Sequence, residues 1–238
     1  MSVGRGLCAM AVVVPAHDEA ALIDRCLESV TTAADLVRGP GLRVLVVVVL
    51  DACADDTGAR ARRRLCGVDA AIVAVRARNV GFARAVGFAR ALRLLGGVDP
   101  DQLWLATTDA DTTVPATWLK RQATLAVRGW DALAGTVMVA DWEDRPARAA
   151  SRFDALATAT ASADGHPHVH GANLGMTAAA YLEAGGMPRQ LLAEDHGMWE
   201  AIRATGRPAL ASASFPVTTS ARRRTRAPDG FGAFLDRL

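Results

Sequence analysis

"RVLVVVVL", residues 43–50, is the stretch that decides the fold. One charge is followed by seven apolar side chains, five of them valine. A strand with one wet face alternates apolar and polar residues. An unbroken β-branched run needs apolar cover on both faces, which a parallel sheet with helices on each side provides. Working outward, "AVVVP" (11–15) reads as a similar strand stopped by proline, and "AAIVAVRA" (70–77) and "QLWLATT" (102–108) as two more. Between them the spacing turns helical. Leu22, Ile23, Cys26, Leu27 and Val30 mark a helix from Ala20 to about Val37, broken by "RGPGL". A second helix is expected over about 55–66, and a third in "VGFARAVGFARALRLL" (80–95), ending at Gly96-Gly97. The order β-α-β-α-β-α-β implies a parallel sheet with right-handed crossovers.

In such sheets ligands bind beyond the carboxyl ends of the strands. The polar residues fall there. Pro15, His17, Asp18 and Glu19 follow the first strand, and Asp51, Asp55 and Asp56 the second. Arg76, Arg78 and Asn79 follow the third, and "TTDADT" (107–112) the fourth. Asp109 and Asp111 would repel each other if buried alone. On an extended segment, residues i and i+2 point the same way. A Mg²⁺ or Mn²⁺ ion between them would remove the repulsion. The plainer alternative is that Asp111, Thr112 or Thr113 caps a helix over 115–128.

The second half is less regular. A strand is expected at 131–140, a helix at about 146–162, a strand or turn in "GANLGMT" (171–177) and a short helix before "EAGGMP". A capped helix is expected in "AEDHGMWEAIRATG" (193–206), then closing strands "PALAS" (208–212) and "PVTTS" (216–220). No linker or internal repeat appears, so residues 1–238 are expected to form one domain.

The bulk composition narrows the classes. The chain is 51% apolar, carries a net charge of +2 and has a single lysine, Lys120. That charge does not argue for nucleic acid, and no such partner is expected. Cys8, Cys26, Cys53 and Cys66 form no C-x-x-C pair, which points to a reducing, cytoplasmic setting. The apolar run 44–50 is far too short for a transmembrane helix. In "DGFGAFLDRL", Phe231, Phe234, Leu235 and Leu238 share one helical face. Docking on the domain's own surface, a dimer contact and a peripheral membrane contact are its three candidate uses.

Six blocks, in order over residues 11–225, resemble the family-two glycosyltransferases of the GT-A fold: "VVVPAHDEA", "VVLDACADDT", "RNVGFARAVGFARA", "TTDADT", "GANLGMTAAAYLEAGGM" and "LAEDHGMWEAIRATG". The resemblance implies a Rossmann-like sheet, with 11–112 as the nucleotide-sugar half and 113–238 as the acceptor half with a basic tail. It implies an inverting, metal-dependent transfer of a sugar from a nucleotide diphosphate, UDP favoured over GDP, to a hydroxyl acceptor of unknown identity. By the same resemblance Glu19 and Asp51 would hold the nucleotide's base or ribose, and Pro15 and His17 would also bind the nucleotide sugar. Arg78 and Arg84 would lie near the nucleotide or its diphosphate. Asp109, Ala110 and Asp111 would serve ribose and metal. Asp195 would be the base, with Glu194 its alternative. Asp18 departs from the family's usual Asn, and Ala52 stands where some members have a second Asp. No Gln-x-x-Arg-Trp motif is present, which argues against a processive synthase.

Each candidate has a plainer use. Asp195 could stabilise a helix start by roughly 1 kcal/mol through capping and dipole. His166, His168 and His170 alternate, but Pro167 interrupts them; lining an acceptor pocket with Gly171, Ala172 and Asn173 fits better than a second metal. Arg222, Arg223, Arg224 and Arg226 would close over the diphosphate or form a solvated tail. Two other functions compete. A sugar-phosphate nucleotidyltransferase would want a Gly-rich loop after the first strand, where "PAHDEA" has no glycine. A non-catalytic nucleotide-binding protein would not need Asp109, Asp111 and Asp195 together. A dinucleotide oxidoreductase would need G-x-G-x-x-G there.

Overall fold

The computed structural model describes residues 6–160, 169–188, 193–222 and 231–238. Strands β1 (Ala9–Ala16), β2 (Arg43–Asp51), β3 (Ala70–Val75) and β4 (Leu103–Thr107) alternate with helices α1 (Ile23–Val37), α2 (Thr57–Arg64) and α3 (Val80–Leu94). The chain continues through β5 (Thr112–Thr113), α4 (Trp118–Val127), β6 (Ala132–Ala140), α5 (Ala147–Thr160), β7 (Leu174–Thr177) and α6 (Ala178–Glu183). It closes with α7 (Glu194–Ala204), β8 (Ala209–Ser220) and α8 (Phe231–Asp236).

The strands form one sheet in the order β3-β2-β1-β4-β7-β6-β8-β5. Its first four strands are parallel, with Val12 level with Val46 and with Ala106. β7 runs against both β4 and β6, β6 and β8 are parallel, and β5 runs against β8. The valine run has the double cover its composition requires. Val46 and Val48 join one core with Ile23, Leu27, Trp104 and Trp118. Val47 and Val49 join the other with Phe88, Leu105 and Met176.

Three expectations change. Pro15 does not end β1; the strand runs on to Ala16, with Pro15 level with Val49. β4 pairs with β1 only as far as Val13, so on that side no ladder calls for the missing N–H. The two closing strands are one, β8, because the "ASFP" stretch between them is a bulge: Gly135 is level with Ser212, whereas Val137 is level with Val217. Third, Asn173, expected at an acceptor pocket, is a core clamp among the described residues. Its Nδ2 donates to the carbonyls of Thr136 (3.0 Å) and Phe215 (2.8 Å), and its Oδ1 accepts from Trp118 Nε1 (2.9 Å). It is fully buried. Asn173→Ala leaves those three groups without partners and should cost about 2–3 kcal/mol, read as a lower denaturant midpoint.

The last helix docks on the chain's own surface. Leu235 is buried, and Asp236 accepts from Arg145 Nη1 at 2.8 Å. No helix among the described residues is long and apolar enough to cross a membrane.

Candidate active site

The carboxyl-end rim is where the backbone is strained. The five non-glycine residues with positive φ among the described ones are Asp18, Ala52, Arg78, Asp141 and Ala193. The first three lie in the loops just beyond β1, β2 and β3, Asp141 just beyond β6, and Ala193 immediately before α7. Such conformations cost of order 1–3 kcal/mol each and concentrate at functional sites.

Asp51 closes the rim rather than projecting from it. Its Oδ1 accepts from the N–H groups of Ala77 (2.7 Å) and Arg78 (2.8 Å), and its Oδ2 from Asn79 (2.8 Å). Three of a carboxylate's roughly four acceptor positions are thus spent on the loop before α3. What remains of the expected nucleotide role is one position on Oδ2. His17 bonds the Asp51 carbonyl through Nδ1 at 2.6 Å. The Arg78 side chain is exposed on the same rim.

The Asp109–Asp111 segment is a turn, not an extended stretch: the Thr112 N–H donates to the Asp109 carbonyl at 3.0 Å. The two carboxylates therefore engage different cations. Asp109 pairs with Arg84, and Asp111 lies 3.1 Å from Arg222 Nη2. Ala110 is buried in the core between them. Arg222 also grips Glu19 with both terminal nitrogens. Arg223, His166 and His168 lie outside the described residues. Arg84, expected near the nucleotide or its diphosphate, is only 2% exposed and is an internal cation. Its other partner is Glu194, at the first turn of α7.

Asp195 stands beside that pair and is partly exposed. Its Oδ2 accepts from the Gly171 N–H at 2.7 Å and its Oδ1 from the His196 N–H at 2.8 Å. Gly171 opens the short 3-10 turn 171–173, directly after His170. Two further contributors carry no sequence signal. Arg145, in what reads as a polar loop, is buried and binds the carbonyls of Ala221 and Arg222, the latter at 3.0 Å, which fixes where Arg222 leaves the sheet. Thr219 donates to Asp111 Oδ1 at 3.4 Å.

Among the described residues the centre of the site holds more acids than cations. Glu19, Asp109, Asp111, Glu194 and Asp195 are gathered around two guanidinium groups, Arg84 and Arg222. Burial pushes Asp111 up to about 6, neighbouring Asp109 adds to this, and Arg222 opposes it. Burial also raises Glu194 against the pull of Arg84. The thiol of Cys26 is raised by burial and then by Asp111, Asp109 and Glu19. Hard oxygen donors in excess over cations fit a divalent Mg²⁺ or Mn²⁺ ion.

Solved structures share this architecture. A mannosyltransferase, PcManGT from Pyrobaculum calidifontis, in complex with GDP-Man and Mn²⁺, superposes with a TM-score of 0.67 at 22% identity over 91% of this chain and 58% of that one. S. aureus TarS 1–349 gives 0.63 at 14% identity over 89% and 60%. Glucosyl-3-phosphoglycerate synthase from Mycobacterium tuberculosis, with Mn²⁺, UDP and glucosyl-3-phosphoglycerate, gives 0.57 at 19% identity over 96% and 76%. The chain thus spans about three fifths of the length of the first two. No curated protein matches significantly. The fold is GT-A, with a mostly parallel sheet and some antiparallel strands. The description "Glycosyl transferase family 2" matches residues 11–183, well over half the sequence. The chain belongs to glycosyl transferase family 2.

Proposed function

We propose that the protein is a metal-dependent, inverting glycosyltransferase acting on a nucleotide diphosphate sugar, UDP favoured over GDP, and a hydroxyl acceptor, in the cytoplasm. The observation that carries this reading is a run of linked acids: Arg222 pairs with Glu19 and Asp111, and Arg84 pairs with Asp109 and with Glu194, whose neighbour is Asp195. Donor binding would use the first of these acids and proton removal the last, and Arg84 links Asp109 to the Glu194-Asp195 turn.

In this reading the nucleotide lies on the rim formed by His17, Glu19, Asp51 and Arg78. Asp109 and Asp111 would hold the metal, which when bound would supply positive charge to the leaving diphosphate. Asp195 accepts the acceptor's hydroxyl proton. The acceptor oxygen forms a bond to the anomeric carbon as the bond to the diphosphate oxygen breaks, and the diphosphate leaves with the electron pair. Attack opposite the leaving group inverts the configuration. Arg222 turns from Glu19 and Asp111 towards phosphate oxygens, which guanidinium groups bind bidentately. The proposed domain is the whole chain, 1–238, with the donor half at 11–112 and the acceptor half at 113–238.

A panel of nucleotide sugars with Mn²⁺ or Mg²⁺ tests the reading. Release of nucleoside diphosphate supports transfer. Pyrophosphate-dependent release of the triphosphate defeats it in favour of nucleotidyl transfer. Arg222→Ala should weaken nucleoside diphosphate binding in Mn²⁺ about 10- to 100-fold, the worth of one charge-assisted contact of roughly 1.5–3 kcal/mol, in a calorimetric titration.

A further inference from the structure

We propose that Arg84 is a positioning residue that selects between two adjacent acids: it holds Glu194 out of the chemistry and leaves Asp195 as the base. The proposal rests on the sugar-transfer reading and adds to it a division of labour within the Glu194-Asp195 pair.

The geometry sets the two acids apart. Glu194 is 4% exposed and its carboxylate faces the Arg84 guanidinium. Asp195 is partly exposed and, among the described residues, bonds backbone N–H groups and no cation. A base must come within hydrogen-bond reach of the acceptor hydroxyl, directly or through one water. Asp195 is open to such an approach, and the buried, paired Glu194 is not.

Arg84 also reaches Asp195 through the backbone. A Cβ on Gly171 would sit 2.4 Å from Arg84 Cζ and Nη2, so the main chain at 171 rests directly on the guanidinium plane. The same residue's N–H holds Asp195 Oδ2 at 2.7 Å. Arg84 thus touches three segments: the Asp109 turn, the 171 turn and the first turn of α7. Its Nε has no partner among the described residues, so the two carboxylates are the polar restraints on a desolvated cation. Removing Arg84 leaves Glu194 buried without its counter-charge. A lysine keeps the charge but cannot span both acids.

The test compares Arg84→Lys, Glu194→Gln and Asp195→Asn with the wild type. It reads kcat, donor KM, and the stoichiometry of UDP or GDP binding in Mn²⁺. A misplacement of about 1 Å can cost on the order of 10²-fold in rate. Arg84→Lys should therefore lose about that much kcat, with donor KM within about threefold and binding stoichiometry unchanged. A purely structural defect would instead lower the stoichiometry in step with activity. Glu194→Gln, nearly isosteric and expected to fold, should lose about tenfold, well short of Asp195→Asn. Gly171→Ala should resemble Arg84→Lys. The proposal is overturned by Arg84→Lys at wild-type kcat, by a loss confined to donor KM, or by Glu194→Gln as inactive as Asp195→Asn. If Arg84→Lys fails to fold, the comparison of Glu194→Gln with Asp195→Asn decides. Wild-type protein that turns over no nucleotide sugar defeats the underlying reading as well; any of the other outcomes in a protein that does turn over defeats this role alone.

Discussion

Asp195→Asn should keep donor binding and lose most transfer, on the order of 10²–10⁴-fold in kcat, the usual contribution of a general base. The physical ground is that asparagine keeps the acceptor oxygen for the Gly171 N–H, which Asp195 binds at 2.7 Å, yet cannot take a proton at neutral pH. The turn at 171 should therefore stay in place, and so should the donor side, which Asp195 does not touch through any hydrogen bond described above. Nucleoside diphosphate affinity in Mn²⁺, measured calorimetrically, should match the wild type. Turnover at the wild-type rate with the identified acceptor would place the base elsewhere.

Asp111→Asn separates stability from function in opposite directions. Burial and Asp109 hold the Asp111 carboxyl up at about 6, above the ordinary aspartate range. The folded state therefore binds this proton more tightly than the unfolded chain. Stability from this group is fully present below the unfolded value and is lost as pH rises from about 4 through 6. Above that window the ionised carboxylate is a net cost in the ligand-free protein. Asparagine removes the charge. The variant should be more stable than the wild type at pH 8, by roughly 3 kcal/mol at most since one pKa unit is about 1.36 kcal/mol, and the two should converge near pH 4. In the proposed reading the same change takes away a metal ligand, so Mn²⁺-dependent nucleoside diphosphate binding should fall to the level seen with a chelator. Thermal melts at the two pH values and titrations with and without chelator read both effects. Binding that is unchanged by the substitution and by the chelator would remove the metal from Asp111.

The parts of the fold legible in the sequence were those governed by local periodicity. The seven apolar residues from Val44 to Leu50 could only be a strand covered on both faces, and both cores are present. The helix spacing around Leu22–Val30 and Val80–Leu95 marked α1 and α3 within three residues of their observed ends. Where a signal depended on pairing, the reading slipped. Pro15 looked like a strand end because the sequence does not show that β4 stops pairing at Val13. Pro216 divided β8 in two because a bulge is set by register with β6, a property of two strands and not of one.

The candidate site divides in the same way. Residue types and order placed acids after successive strands, because strand direction alone sends every carboxyl end of a parallel sheet to one rim. Sequence therefore determined which residues gather there. Tertiary structure decided their partners. Asp51 turned to the backbone of 77–79, Asn173 to the core, Asp109 to Arg84, and Asp111 and Glu19 to Arg222. These choices join residues up to 203 positions apart. Charge, reach and desolvation at such separations are fixed only when the strands have paired and the helices have packed, so no local pattern in the chain encodes them.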